Sequence, residues 1–183
     1  STGYAIAKFY NEKEFSDTHG VGTLDAIIFR YAEVLLIRAE AGAELGKDPE
    51  LDLTVNALRK RVGFNVKLTS SPATDPKLVA KHPIIKGTNA DLIREIRRER
   101  RVELFGEGLR YADLMRWGCG ERLVAPKAGM MLYTDVYTPE EIAVLKTEVG
   151  TYADGSLDVY GKRVTTPAIF ESPKHYLFSL PLF

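Results

Sequence analysis

Apolar residues recur at helical spacing in two long stretches, and a third stretch carries charge where a helix normally buries only apolar groups. Between Asp25 and Leu45, Phe29, Ala32, Leu36, Ala39 and Ala43 fall on one stripe, rich in small side chains that let another helix come close. Gly46 and Asp48-Pro49 predict its end. A second helix is expected over Asp52–Arg61, with Leu53, Ala57 and Leu58 or Val62 facing inward. The densest charged segment, Asn89 to Gly118, is also strongly helical, with Asn89 as N-cap and Asp91 in the first turn. At about 100° per residue, Ile93, Ile96, Arg100 and Leu104 share a stripe, and Glu103 and Glu107 lie along its edge. Gly106 and Gly108 predict a break before a short helix over Leu109–Arg116.

The remaining chain is irregular. Ser1–Gly22 reads as an extended entry with a short strand from Tyr4 to Tyr10, its aromatics pinning a loop onto the core. Gly63–Gly87 is a connector with one helical turn near Pro76–Ala80. Thr138-Pro139-Glu140-Glu141 has N-cap, N1 and N3 residues in order and predicts a helix to Lys146. Asp154-Gly155 is a turn signal that admits a small β-hairpin. The expected fold class is all-α, with long irregular loops.

Charge on an apolar face has two readings: a solvated run with a mixed face, or a buried network that fixes how helices dock. The second assigns a structural ion network to Glu33, Glu40, Arg97, Arg100, Glu103 and Glu107, with Glu33 and Glu40 as partners for Arg97 or Arg100. It predicts Arg100 buried and paired. A catalytic role for the Glu33/Glu40 pair is disfavoured, since both sit mid-helix among alanines rather than across a cleft.

Composition narrows the function classes. Lys plus Arg equals Asp plus Glu at 25 each, so there is no bulk field to steer nucleic acid, and no nucleic-acid partner is expected. A single cysteine, Cys119, excludes an internal disulfide and looks incidental. The three histidines, His19, His82 and His175, have no companion ligands in sequence and read as loop histidines. No metal or other cofactor is implied. No nucleophile–base pair, phosphate loop or redox motif points to an enzyme.

The charged stretch also carries a resemblance. Arg97-Arg98-Glu99-Arg100-Arg101-Val102-Glu103-Leu104, Glu107-Gly108-Leu109-Arg110-Tyr111-Ala112-Asp113-Leu114 and Arg116-Trp117-Gly118 resemble the C-terminal part of the SusD/RagB family. Phe29 to Ala41 and His175-Tyr176-Leu177-Phe178 agree with it, whereas Ser179-Leu180-Pro181 departs from the family's usual Pro-Ile-Pro. The resemblance implies a tetratricopeptide-like scaffold, of which Asp25–Arg61 supplies one unit. It implies a surface lipoprotein of Bacteroidetes that captures glycan, or alternatively peptide, for a SusC-like TonB-dependent transporter of the outer membrane. On that reading, residues 1–183 are the C-terminal part of a domain cut at both ends, with the lipid anchor upstream. A large exposed apolar surface is then expected. The family's ligand contacts lie largely upstream of this region. Here Tyr133, Tyr137 and Tyr152 are candidates on composition, since loop tyrosines stack on sugars and donate a hydroxyl; ordinary loop packing accounts for them equally well. Trp117, inside the most regular motif, is expected to be structural. The alternative function class is a helical-repeat module that binds protein and no small ligand.

Overall fold

A computed structural model describes residues 8, 27–124, 130–153, 155–158 and 169–177. The expected strand at Tyr4–Tyr10, the aromatics up to Phe15, His19 and the segment after Leu177 lie outside the described residues. The chain divides into two compact units, Ile6–Cys119 and Gly120–Phe183 with Ser1–Ala5. Among the described residues the regular structure is helical: α1 Tyr31–Glu44, α2 Val55–Arg61, α3 Pro76–Lys81, α4 Ala90–Glu103, α5 Arg110–Arg116 and α6 Pro139–Val149, with short 3-10 turns at Gly120–Leu123 and Lys174–Tyr176.

The first unit is built on α1 against α4, with α2 on α1 and α3 on α4. Ala32, Leu35, Leu36, Ala39 and Ala43 of α1 meet Leu92, Ile93, Ile96 and Leu104 of the α4 segment, and Val55, Leu58 and Leu68 complete the core. Helix α1 starts later than the apolar periodicity predicts. Arg30 is extended (φ −142°, ψ 162°), so Phe29 leaves the expected inner stripe and is 75% exposed. That extended backbone accompanies a use for the side chain, because the Arg30 guanidinium is held by Glu103 and Glu107. At the other end, Gly46 takes φ +66°, and the Gly46 and Lys47 N–H groups donate to the Ala43 and Gly42 carbonyls at 3.2 and 2.8 Å. This Schellman pairing satisfies carbonyls that the helix end leaves open.

Helix α2 also begins later than expected, and the delay changes its phase. Asp52 and Leu53 lie in a turn, Leu53 and Val62 are exposed, and Thr54, Val55 and Asn56 are buried instead. The buried polar pair is satisfied. The Thr54 hydroxyl donates to the Pro49 and Glu50 carbonyls, and the Asn56 amide exchanges two bonds with the Leu68 backbone at 2.7 and 3.1 Å. Asn56 thereby ties the connector to α2 and drives Leu68 into the core.

Asn89 precedes α4 but does not cap it; its side-chain amide donates to the Ala43 carbonyl at 3.0 Å, joining the end of α1 to the start of α4. The turn after Asp75 is the short α3, capped by that aspartate accepting from the Lys77 N–H. In the second unit, Thr138 and Glu141 form the expected reciprocal capping box, and α6 runs on to Val149. The expected hairpin is not a paired ladder among the described residues: Leu157 forms isolated antiparallel bridges to Thr151 and Met130. Val159 and Tyr160 lie outside the described residues.

The described surface is rich in apolar groups. Tyr31, Val34 and Ile37 are exposed on the outer side of α1, so this helix is apolar on both sides.

Gly42 marks a close approach of α1 to the turn that follows it. A Cβ there would lie 2.9 Å from both the Asp48 carbonyl oxygen and the Pro49 Cα, which are backbone atoms. In an open helix, Gly→Ala gains about 1 kcal/mol. Here Gly42→Ala is expected to lose about 1–3 kcal/mol by overpacking. Urea unfolding checks this; a variant as stable as the parent would refute the close approach.

Candidate functional site

The charged face of α4 organises the first unit. Four of its eight buried residues, Arg94, Glu95, Arg97 and Arg100, are ionisable. A charge withdrawn from water needs an opposite charge and hydrogen bonds in good geometry. Arg94 is met by Asp91 at 2.8 Å and the Ile85 carbonyl at 2.6 Å, and Glu95 by Arg98 of the same helix; Arg97 and Arg100 belong to two joined clusters, and a third gathers where α4 ends.

The first centres on Glu40 of α1, which is 4% exposed. Its Oε1 accepts from Arg97 Nε at 3.0 Å, Arg116 Nη1 at 3.0 Å and Trp117 Nε1 at 2.6 Å, and its Oε2 accepts from Arg116 Nη2 at 2.6 Å. Arg97 donates onward to Glu44 at 2.8 Å. The Arg97 and Arg116 guanidiniums each lie 4.7 Å from the Trp117 ring, so two cations that neutralise Glu40 also stack on the indole. Trp117 is buried, with both its ring and its N–H engaged.

The second centres on Arg100. Its Nε donates to both carboxylate oxygens of Asp113, at 2.9 and 2.8 Å, and its Nη2 donates to Glu33 at 3.3 Å. Arg116 joins the two clusters, because its Nε also donates to Asp113 at 3.1 Å. The third lies where α4 ends. Arg30 donates to Glu107 at 2.8 and 2.7 Å, to the Glu103 carboxylate at 2.6 Å and to the Glu103 carbonyl at 2.7 Å. Lys8 adds a bond to Glu107 at 2.6 Å, and Arg61 reaches Glu103 at 2.8 and 3.0 Å.

These contacts join α1, α4 and α5 through side chains far apart in sequence. Glu33, Glu40, Arg97 and Arg100 come together around Asp113 and Arg116, while Glu103 and Glu107 gather around Arg30. Asp113, Arg116 and Arg30 were missed by sequence reasoning. The available signal was the strict ordering of charge in Arg110–Arg116, where Asp113 and Arg116 stand three apart on one helix face. His82 also differs from expectation. It is buried, stands edge-on to Trp117 at 5.5 Å between ring centres, and its Nδ1 lies 3.7 Å from Cys119 Sγ. Both sit outside the helices, as expected, but are buried beside the tryptophan.

The electrostatics follow from this geometry. Burial pushes the Glu40 carboxyl up, but the hydrogen bonds and charges of Arg116, the charge of Arg97 and the Trp117 N–H outweigh it, and the group is held below its ordinary value. Glu107 is also held low, first by its Arg30 hydrogen bond, against a smaller push from burial.

The candidate ligand tyrosines belong to the second unit. Tyr133 is 58% exposed, and its carbonyl closes the turn by accepting from the Val136 and Tyr137 N–H groups at 3.1 and 3.0 Å. Tyr137 is half-buried on the same turn. Tyr152 is half-buried, and its hydroxyl donates to Asp158 at 2.7 Å. Among the described residues no group of three His, Cys, Asp or Glu side chains is placed to hold a metal ion, and no helix is long and apolar enough to cross a membrane.

Comparison with known proteins places this architecture. Residues 1–174 match the SusD family. The chain belongs to the SusD family. It is 36% identical over 104 residues to SusD-like protein P38 of Formosa agariphila, a match covering 57% of this chain and 19% of that protein. The match thus spans less than a fifth of the length of that curated relative. No solved structure matches the chain. The SusD/RagB family is one of non-catalytic nutrient-uptake proteins of the Bacteroidetes type.

Breaking the Glu40 cluster is expected to be costly, since it strands the buried Arg97. Glu40→Gln should lose about 3 kcal/mol by chemical denaturation, against well under 1 kcal/mol for the exposed Lys174–Glu171 pair. Because the folded-state pKa of Glu40 lies below its ordinary value of 4.5, its contribution is present above that value and is lost as pH falls through the folded value. Stability measured from pH 7 downward should therefore fall less steeply below pH 4.5 in Glu40→Gln than in the parent. Equal slopes would remove Glu40 from the network's energetics.

Proposed function

We propose that the parent of this chain is a surface-exposed, lipid-anchored outer-membrane protein that binds oligosaccharide without cleaving it and delivers it to a SusC-like TonB-dependent transporter. The observation that carries this reading is the family match over residues 1–174. On this reading the chain is part of the C-terminal portion of a SusD/RagB-like domain, and α1 with α2 forms one tetratricopeptide-like unit. The ion network is scaffold. It holds α1, α4 and α5 in one arrangement.

The tyrosines are assigned unequal parts in ligand contact. Tyr133 exposes a ring on a turn anchored by the capping box of α6, which suits stacking on a sugar face. Tyr137 flanks the same turn. Tyr152 spends its hydroxyl on Asp158, so its contribution is packing rather than hydrogen bonding. Peptide capture is the alternative for the same surface. A helical-repeat module binding protein alone is the second class, favoured to the extent that α1 is apolar on both sides.

Calorimetry of the full-length parent against a panel of oligosaccharides and peptides, with chromatography of the mixtures, tests the proposal. Binding of an oligosaccharide with no product is expected. Replacing Tyr133 by Ala should weaken it by about fivefold, the scale of one exposed stacking contact, and Tyr152→Ala by less. Turnover of any panel member, or binding of none beside tight binding to a soluble protein, would contradict it.

A further inference from the structure

A hollow of about 680 Å³ opens in the first unit where the last turn of α1, residues 84–89 and the start of α4 meet Trp117. That volume suits a small molecule. Its apolar lining is aliphatic: Ala43 and Ile93 are buried in the core, Ile85 is half-buried, and Ile84 is 63% exposed. No aromatic face is open there. Trp117 lines the hollow, but it is buried, and the Arg97 and Arg116 guanidiniums each lie 4.7 Å from its ring.

Most of the charge on the lining is already spent. Arg116 is held by Glu40 and Asp113, and Arg97 by Glu40 and Glu44. A few atoms are not. The Lys86 side chain forms no hydrogen bond or ion pair among the described residues. Glu44 accepts from Arg97 through Oε1 alone and leaves Oε2 open, on a half-exposed side chain. Asn89 spends its side-chain N–H on the Ala43 carbonyl and leaves Oδ1 open, and Arg97 leaves Nη1 open. The hollow thus presents an unspent cation and a half-spent carboxylate, not paired with each other, beside aliphatic surface.

We propose that this hollow binds a free α-amino acid with an aliphatic side chain, in its zwitterionic form. Lys86 Nζ and the open Arg97 N–H meet the ligand carboxylate, Glu44 Oε2 and Asn89 Oδ1 meet its ammonium, and Ile84 meets its side chain. A ligand charged at one end only would satisfy half of these atoms and strip water from the rest at a cost. A sugar ring can use the same donors and acceptors, but it brings no aliphatic side chain to Ile84 and finds no open ring to stack on. The site lies within the first unit and does not depend on the ligand assigned to the tyrosines of the second.

Trp117 is the one tryptophan of the chain, so its fluorescence reports on the hollow directly. The test titrates the whole 183-residue chain with L-leucine and follows both Trp117 fluorescence and saturation-transfer NMR of the ligand. The comparison ligands are leucinamide, which lacks the carboxylate, 4-methylpentanoate, which lacks the ammonium, and glucose. L-Leucine is expected to half-saturate both readouts at about 1 mM, the scale of so small a ligand in an open site, and each comparison ligand to bind at least about fivefold more weakly. Lys86→Met and Glu44→Gln, both at exposed positions, should each weaken leucine by about fivefold. Lys86→Met should leave leucinamide unchanged, Glu44→Gln should leave 4-methylpentanoate unchanged, and Lys60→Met on α2 should change nothing. Circular dichroism checks that each variant is folded; if one is not, the ligand ranking on the unsubstituted chain decides alone. No saturation by leucine in either readout, glucose binding as tight as leucine, equal binding of the ligands lacking one charge, or folded Lys86 and Glu44 variants that bind unchanged would each overturn the proposal.

Discussion

Charge taken out of water is the constraint on which the first unit rests. Helix α4 buries two isoleucines and a leucine, too little to hold three neighbouring elements, and it buries four ionisable groups beside them. Each demands a partner: Arg97 and Arg100 find theirs on α1 and α5, whereas Arg94 and Glu95 pair with Asp91 and Arg98 of α4 itself. The helices can therefore dock in few ways. A slide of one turn, about 5.4 Å, would leave Arg100 away from Asp113 and Glu40 away from Arg116, with cost on both sides of each pair. Apolar stripes alone tolerate such slides better, because leucine and isoleucine contacts are less directional than bidentate ion pairs.

Trp117 converts this electrostatic arrangement into a packed one. Its ring is flanked by two guanidiniums that already neutralise Glu40, its N–H points at the same carboxylate, and its edge meets His82 above Cys119. The buried Glu40 and Arg97 are thus covered by aromatic surface, which strengthens the bond between them, while Arg116 closes the cluster from the solvent side.

Much of this was legible along the chain. Ile93, Ile96, Arg100 and Leu104 share the buried side of α4 as their spacing predicts, Gly46 ends α1, and Thr138 with Glu141 caps α6. These depend on local geometry, which a sequence contains. The start of α1 was not legible, because Arg30 is extended while its guanidinium is bound by glutamates more than seventy positions away. The phase of α2 failed for a similar reason: Asn56 finds its partner at Leu68, and Thr54 turns to the backbone before the helix begins. Asp113 and Arg116 hid inside a motif whose order was visible but whose pairings were not. His82 and Cys119 meet only through the fold. Family membership was legible because the ordered charges of Arg97–Trp117 are what the network requires.

The most direct test of the account is a double-mutant cycle on Arg100 and Asp113, replaced by Met and Leu respectively, with stability measured by urea unfolding. Both are buried, and they share two hydrogen bonds. If paired burial fixes the helices, each single substitution costs about 3 kcal/mol or more by stranding the other charge, and the double variant recovers at least about 1.5 kcal/mol of their sum. Additive losses, or single losses below about 1 kcal/mol, would show that α4 is held by its apolar stripe and that the charges are passengers.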